Sequence, residues 1–442
     1  MVTSSSELVY RMGKEIVKYD VVVIGGGISG VTAAYHHQKL GLKVALIESS
    51  GRLGGVINSE ASNYGVLESG PNSMAMTDEL RSLVEDIDLS DQLILADDSA
   101  KKRYIYLRGA PKLVSPKTIL FSGKILSLKS RMRLLTERFR KSDIRNEETL
   151  ASAIERRLGK EVLQKMINPV VSGIYAGDTS KLEYKSALKK LYSFEKEFGS
   201  FTKGFFSSRK KGVKREVSTF SNGLVSLIQG IGNKLDTVFF GDVVCGVSRL
   251  NEFHMVETEL RNFECKKLII TAPAYVTSKW IEDEELSQKI EAIHYPTLSS
   301  FQFVFNKLDV KSPLHSFGVL FPKEEGKSCL GVINYSSIFP SNSNSDHMIF
   351  TIFSNKKDIS QPDLKSEVLK ELQALYQIKG LPVLEKIKVW DKAIPQFEVG
   401  YSDLMEELNQ YCADRPGLEI TGNWRTGVAL GDCVYQSVPI KS

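Results

Sequence analysis

The apolar positions of this chain change rhythm several times, and each rhythm predicts an element. Tyr19 to Ile24 is a short valine-rich run, the pattern of a strand buried in a parallel sheet. Ile28 to Leu40 fits a helix that Gly41 ends, and Lys43 to Ile47 is a second strand, so the chain opens on a βαβ unit. From about residue 96 to 215 it reads as mostly helical, with apolar and basic faces in "SLKSRMRLLTERFRK" and "ETLASAIERRLGKEVLQKMINPVV". The second of these follows Asn146, Glu147 and Glu148, which read as a helix start. Next, "TFSNGLVSLIQGIGNKL" reads as a helix, and "TVFFGDVVCGVSRL", "HMVETEL" and "KKLIITAPA" as strands. Between 276 and 400 the runs "LSSFQFVFNK", "FGVLFP", "CLGVINYSS" and "HMIFTIFS" alternate as a twisted sheet does, and "SNSNSDH" is a polar loop. No repeat or long low-complexity linker interrupts these elements, and the class they give is α/β.

Composition narrows the setting. A length of 442 residues allows roughly two to three domains, enough to enclose a large ligand. The net charge of +5 is too weak to argue for nucleic acid, but it suits an acidic substrate or an anionic membrane surface. Cys245, Cys265, Cys329, Cys412 and Cys433 are scattered without a C-x-x-C pair and read as free thiols in a reducing compartment. The six histidines are isolated apart from His36 and His37, so no metal is expected. The first twenty residues carry no apolar core of signal-peptide length. The longest charge-free stretch, from Val21, reads as strand, turn and helix and not as a membrane span. The expected location is the cytoplasmic side, soluble or peripherally membrane-bound.

Gly25, Gly27 and Gly30 form G-x-G-x-x-G between the first strand and its helix. The first glycine makes the tight turn, the second lets the backbone approach a pyrophosphate, and the third packs helix on strand. Glu48 closes the second strand, placed to accept hydrogen bonds from a ribose. An acid there disfavours NADP but leaves NAD and FAD both open.

The next residues choose between them. Glu48, Arg52, Gly54 and Gly55 give E-x-x-x-R-x-G-G. This resembles the flavoprotein superfamily of amine oxidases, phytoene desaturases and protoporphyrinogen oxidases. Val56 stands where amine oxidases carry a further arginine. "LESGPNSM" (Leu67 to Met74), "KKRYIYLRG" (Lys101 to Gly109), "NPVVSGIYAGDTSKL" (Asn168 to Leu182) and "GNWRTGVALGDC" (Gly422 to Cys433) are similar, in that order, to segments of the protoporphyrinogen oxidase family.

The resemblance implies a Rossmann-type FAD-binding domain from residues 1–95, 216–275 and 401–442. It implies a helical, membrane-contacting insertion over 96–215 and a mixed-sheet substrate domain over 276–400. FAD would lie on Gly25, Gly26, Gly27, Ile28, Ser29 and Gly30, with Glu48, Arg52, Gly55 and Val56 beyond. It would also meet Gly70, Pro71, Asn72, Ser73, Val244, Asn423, Val428, Ala429 and Leu430. The substrate would meet Arg103, whose fork suits a propionate, and Asn72, Ala176, Gly177 and Asn334. The bland alternatives are a solvated arginine beside Lys101 and Lys102, a turn asparagine after Pro71, and a tight turn before Asp178. Asn334 departs from the family's aromatic, and alternation sends Tyr335 to the other strand face unless a bulge re-aims it. The basic run Arg209 to Arg215 reads as a solvated interdomain loop, with a lipid-headgroup contact as the sharper reading.

By the same resemblance the substrates are protoporphyrinogen IX and dioxygen. A hydride would leave a meso carbon for flavin N5, and hydrogen peroxide would be released. Coproporphyrinogen III oxidation, and a flavin- or porphyrin-binding protein without turnover, remain the alternatives. The resemblance is compatible with a homodimer. The segment "VYQSVPIKS" breaks the expected closing helix at Pro439, so weakened FAD binding is expected there.

Overall fold

The computed structural model describes residues 14–209, 216–356, 362–425 and 427–438. The basic run from Lys210 to Arg215, and Pro439, lie outside them. The βαβ unit consists of β1 (Ile16–Ile24), α1 (Ile28–Lys39) and β2 (Val44–Glu48). These strands centre a seven-stranded sheet in the order Val238–Phe240, β2, β1, Asn262–Ile270, Phe253–Thr258, Val244–Leu250. Leu418–Ile420 pairs with the end of Asn262–Ile270. All are parallel except Phe253–Thr258 and Val244–Leu250, which close the sheet as an antiparallel meander.

The valine run is continuous because both of its faces are covered. Val22 and Ile24 join Ala45, Ile47 and Ile270 in one core. Val21 and Val23 join Leu46, Ile269 and the α1 residues Val31 and Ala34 in the other. Burying each valine, leucine or isoleucine among them stabilises the fold by about 1.5–3 kcal/mol. The closing helix Leu430–Gln436 packs on α1, so the last described segment completes this layer.

The second sheet runs Leu384–Trp390, Leu298–Asn306, His347–Ser354, Gly331–Asn334, Gly318–Leu320, Arg103–Leu107, Ala110–Val114. It is mixed, because Gly318–Leu320 lies parallel to Arg103–Leu107 while the other pairs are antiparallel. One face buries Phe301, Phe303 and Phe350 against the helix Pro362–Tyr376. The other carries Leu298, Phe353 and Ile333, which wall a cleft.

Several elements differ from the sequence reading: Tyr335–Ile338 is a helical turn where "CLGVINYSS" reads as strand, and Arg103–Leu107 and Ala110–Val114 are strands of the second sheet within a mostly helical stretch. "TFSNGLVSLIQGIGNKL" begins as the strand Val217–Phe220 and turns helical only at Val225–Gly232, because Gly223 turns the chain at φ +84. The helix expected after Asn146 starts at Leu150, where the Thr149 hydroxyl accepts from the Ser152 N–H. Glu148 does not start it, since its carboxylate pairs with Arg156 at 2.9 Å.

Candidate active site

β1 ends at Ile24, and Gly25 turns the chain at φ +104 into α1. The cap of α1 is Gly27, and no side chain caps it. The first-turn amides therefore keep their donors free of side-chain partners, at the positive end of the helix dipole. That is an anion site. A Cβ on Gly30 would stand 1.7 Å from the Gly25 carbonyl oxygen, so only glycine lets helix and turn pack this closely. A Cβ on Gly27 would meet nothing within 4 Å, because Gly27 faces an open groove. The Glu48 carboxylate accepts from the Gly26 N–H at 2.7 Å and the Ser50 N–H at 2.8 Å, which fixes it at the groove's edge.

The groove measures about 390 Å³. Gly25, Gly26, Gly27, Ile28, Ser29, Glu48, Gly55, Val56, Val244, Asn423, Val428 and Leu430 line it, with Thr271 and Ala272. An elongated groove with an anion-binding helix end and an acid after the second strand fits a dinucleotide. Arg52 is not on the lining. Its guanidinium donates to the carbonyls of Gly55 at 2.7 Å and Ile57 at 3.0 Å, so it braces its own turn.

A second cleft of about 360 Å³ opens beside the groove. Val56, Asn423, Val428 and Leu430 line both, so the two communicate. Gly70, Pro71, Asn72, Ser73 and Ala429 form one side of the cleft, Ser172, Ile174 and Ala176 another, and Leu298, Ile333, Phe353 and Trp390 the sheet side. None of the described residues lining it is an acid, a histidine, a lysine or an arginine. Asn72 is 5% exposed, and its amide nitrogen donates to the Gly70 carbonyl at 3.1 Å. Its Oδ1 is buried without a partner, an acceptor left for a ligand N–H. Ala176 reaches the cleft because it caps the helix Asn168–Tyr175 at φ +50. The Trp390 indole N–H donates to the Ser69 carbonyl at 3.3 Å and ties the sheet to the 69–75 wall.

Three expected substrate residues fall elsewhere. A Cβ on Gly177 would stand 2.2 Å from the Gln396 amide oxygen, so this glycine serves packing and is absent from the lining. Asn334 is fully buried away from the cleft. It ends its strand, where its Oδ1 caps the turn Tyr335–Ile338 and its amide donates to the Pro313 carbonyl at 3.0 Å. Alternation gives the cleft to Ile333 instead. Tyr335 packs in a separate core with Val66, Leu67 and Phe339, so no bulge re-aims it. Arg103 lies just outside the lining. It pairs with Gly318, which pairs with Ile333, so it rises from the cleft's face two strands away. Its guanidinium stands 5.0 Å from the Phe317 ring, and burial lowers its pKa.

Among the cleft residues that the sequence did not point to are Leu298, Ile333, Phe353 and Trp390 on the sheet side, and Ser172, Ile174 and Ile394. Strand register brings the four on the sheet together.

The model for flavin containing amine oxidoreductases matches residues 28–436. Protoporphyrinogen oxidase 2 of Arabidopsis thaliana is 30% identical, covering 94% of this chain and 91% of its own. A coproporphyrinogen III oxidase of Bacillus subtilis is 24% identical, covering 95% of this chain and 96% of its own. A crystal structure from an Exiguobacterium species, described as a candidate protoporphyrinogen oxidase, superposes with TM-score 0.80 at 21% identity. It covers 96% of this chain and 98% of its own. With the groove, the acid at its edge and the match over most of its length, this chain belongs to the flavin containing amine oxidoreductases and is an FAD-dependent oxidoreductase.

Proposed function

We propose that this chain oxidises a porphyrinogen to the porphyrin in tetrapyrrole synthesis, with protoporphyrinogen IX as the first candidate substrate. The observation that carries the reading is an apolar cleft free of titratable lining residues that opens onto the dinucleotide groove. A flat macrocycle suits such a slot, and the names of the curated relatives support it.

Bound FAD supplies a two-electron acceptor that dioxygen regenerates. The chain's own share is binding and positioning. The α1 N-terminus and Glu48 would hold the pyrophosphate and ribose, and Val56, Asn423 and Val428 would border the flavin end. Ile333, Phe353, Leu298 and Trp390 would exclude water from one face of the macrocycle. The Asn72 Oδ1 would accept from a pyrrole N–H, and Arg103 would take a propionate. No described side chain on the lining is a base that would remove a proton, so the chain's share is orientation and desolvation.

Leu128, Met132, Leu135 and Phe139 stand exposed at helical spacing, between 51% and 74% accessible. They support a peripheral membrane contact. No helix among the described residues is long and apolar enough to cross a membrane.

The test is FAD-loaded protein mixed with protoporphyrinogen IX in air. Porphyrin fluorescence should rise together with oxygen uptake, at three molecules of hydrogen peroxide per porphyrin. A rate no greater than autoxidation sinks the reading.

A further inference from the structure

Two cations flank the second cleft from opposite ends of its sheet, one on an edge strand and one on the strand next to the other edge. One is Arg103. The other is Lys388, on the edge strand Leu384–Trp390. Lys388 pairs with Ser300, and Trp390 pairs with Leu298. Two residues apart on a strand, Lys388 and Trp390 rise from the same face, which is the cleft's face. The Lys388 ammonium stands 4.9 Å from the centroid of the Trp390 ring, and Trp390 lines the cleft.

The neighbouring lysines are already matched. Lys386 pairs with Glu60, and Lys365 pairs with Glu385 at 2.7 Å. Neither Lys388 nor Arg103 has a carboxylate partner among the described residues. Five strand spacings separate their backbones, roughly 24 Å. Both side chains are long, and reaching inward they shorten that gap towards the width of a macrocycle with its acidic arms. Leu298, Phe353 and Ile333 floor the space between them.

Protoporphyrinogen IX carries its two propionates on neighbouring rings, so it can engage one pole and leaves the other to water. A tetrapyrrole with propionates on all four rings reaches both. We propose that Lys388, seated on Trp390, is a second carboxylate anchor opposite Arg103, and that it lets the site take, besides protoporphyrinogen IX, a tetrapyrrole with acidic arms on opposite rings. A lysine suits this place as a point charge, where Arg103 offers a fork. The inference rests on the porphyrinogen reading above.

The test uses the full FAD-loaded chain and the product porphyrins as probes, followed by fluorescence. Lys388→Gln should weaken coproporphyrin III binding about tenfold and protoporphyrin IX binding less than about twofold. Lys388→Arg should restore coproporphyrin binding. Equal effects on both porphyrins, or no effect on either while the unaltered chain binds both, overturn the second anchor alone. If the unaltered chain binds neither porphyrin, the porphyrinogen reading falls and the anchor falls with it. Lys388 is exposed, so unchanged thermal melting of the variants keeps a folding loss from imitating the result.

Discussion

Glu68 stands one residue before the wall that closes the cleft, and it is 1% exposed. Burial pushes its carboxyl up to about 7, against hydrogen bonds from the Leu224 N–H at 2.8 Å and the Ser59 hydroxyl at 2.7 Å. Unfolded, it titrates near 4.5, so the folded state holds the proton more tightly. This contribution to stability is complete below the unfolded pKa and falls as pH rises through about 7, by roughly 3 kcal/mol in all. Urea unfolding of Glu68→Gln across pH 4 to 8 should lack that decline when subtracted from the unaltered chain. An unchanged pH profile would show that the carboxyl ionises freely. Arg103 offers a second check. Arg103→Ala should raise the KM for a porphyrinogen about ten- to a hundredfold and leave kcat within about threefold. A lost kcat at constant KM would remove it from propionate binding. At this scale the sequence showed what local spacing determines. Gly25, Gly27, Gly30 and Glu48 lie within one βαβ unit, and their roles follow from distance along the chain. Asn334 could not be placed in that way, because strand pairing and the turn after it decide which face it takes.

Among the elements, α1 makes the sharpest contrast. Gly30→Ala puts a methyl against the Gly25 carbonyl oxygen, so the turn and helix must separate. It should destabilise the chain by about 3 kcal/mol or more and leave it without flavin. Gly27→Ala adds its methyl to the open groove. It should melt near the temperature of the unaltered chain when FAD is absent, yet hold FAD more weakly. Calorimetry with and without FAD separates the two, and equal losses of stability would contradict this geometry. The helical insertion depends on a buried charge cluster. Burial opposes ionisation of Glu137, but Ser200, Thr202 and Arg157 donate to its carboxylate and bring its pKa down to about 2. Arg157→Ala strands that charge and should cost about 3–5 kcal/mol in chemical unfolding. A loss under about 1 kcal/mol would mean that water replaces the guanidinium. The apolar and basic faces of this insertion were visible in its helical periodicity. The partners of Arg156 and Arg157 were not, because Glu137 and Glu195 are brought to them by the fold.

For the molecule as a whole, the proposed function rests on two cavities sharing one wall. The chain makes it by returning twice to the first sheet, at Val238–Phe240 through Asn262–Ile270 and again at Leu418–Ile420. The second return carries Asn423, Val428 and Leu430 between groove and cleft. The glycine fingerprint and the family-like segments pointed to the groove. The cleft's sheet side was not legible, because Leu298, Ile333, Phe353 and Trp390 come from four strands whose register no local pattern fixes. On the proposed reading, the cleft presents a porphyrinogen to FAD held in the groove. An anaerobic titration decides it: FAD-loaded protein receives protoporphyrinogen IX while the oxidised-flavin absorbance is followed. The flavin should bleach without air, then regain its colour with porphyrin fluorescence when air is admitted. Flavin that stays oxidised, with FAD bound and porphyrinogen in excess, would contradict it.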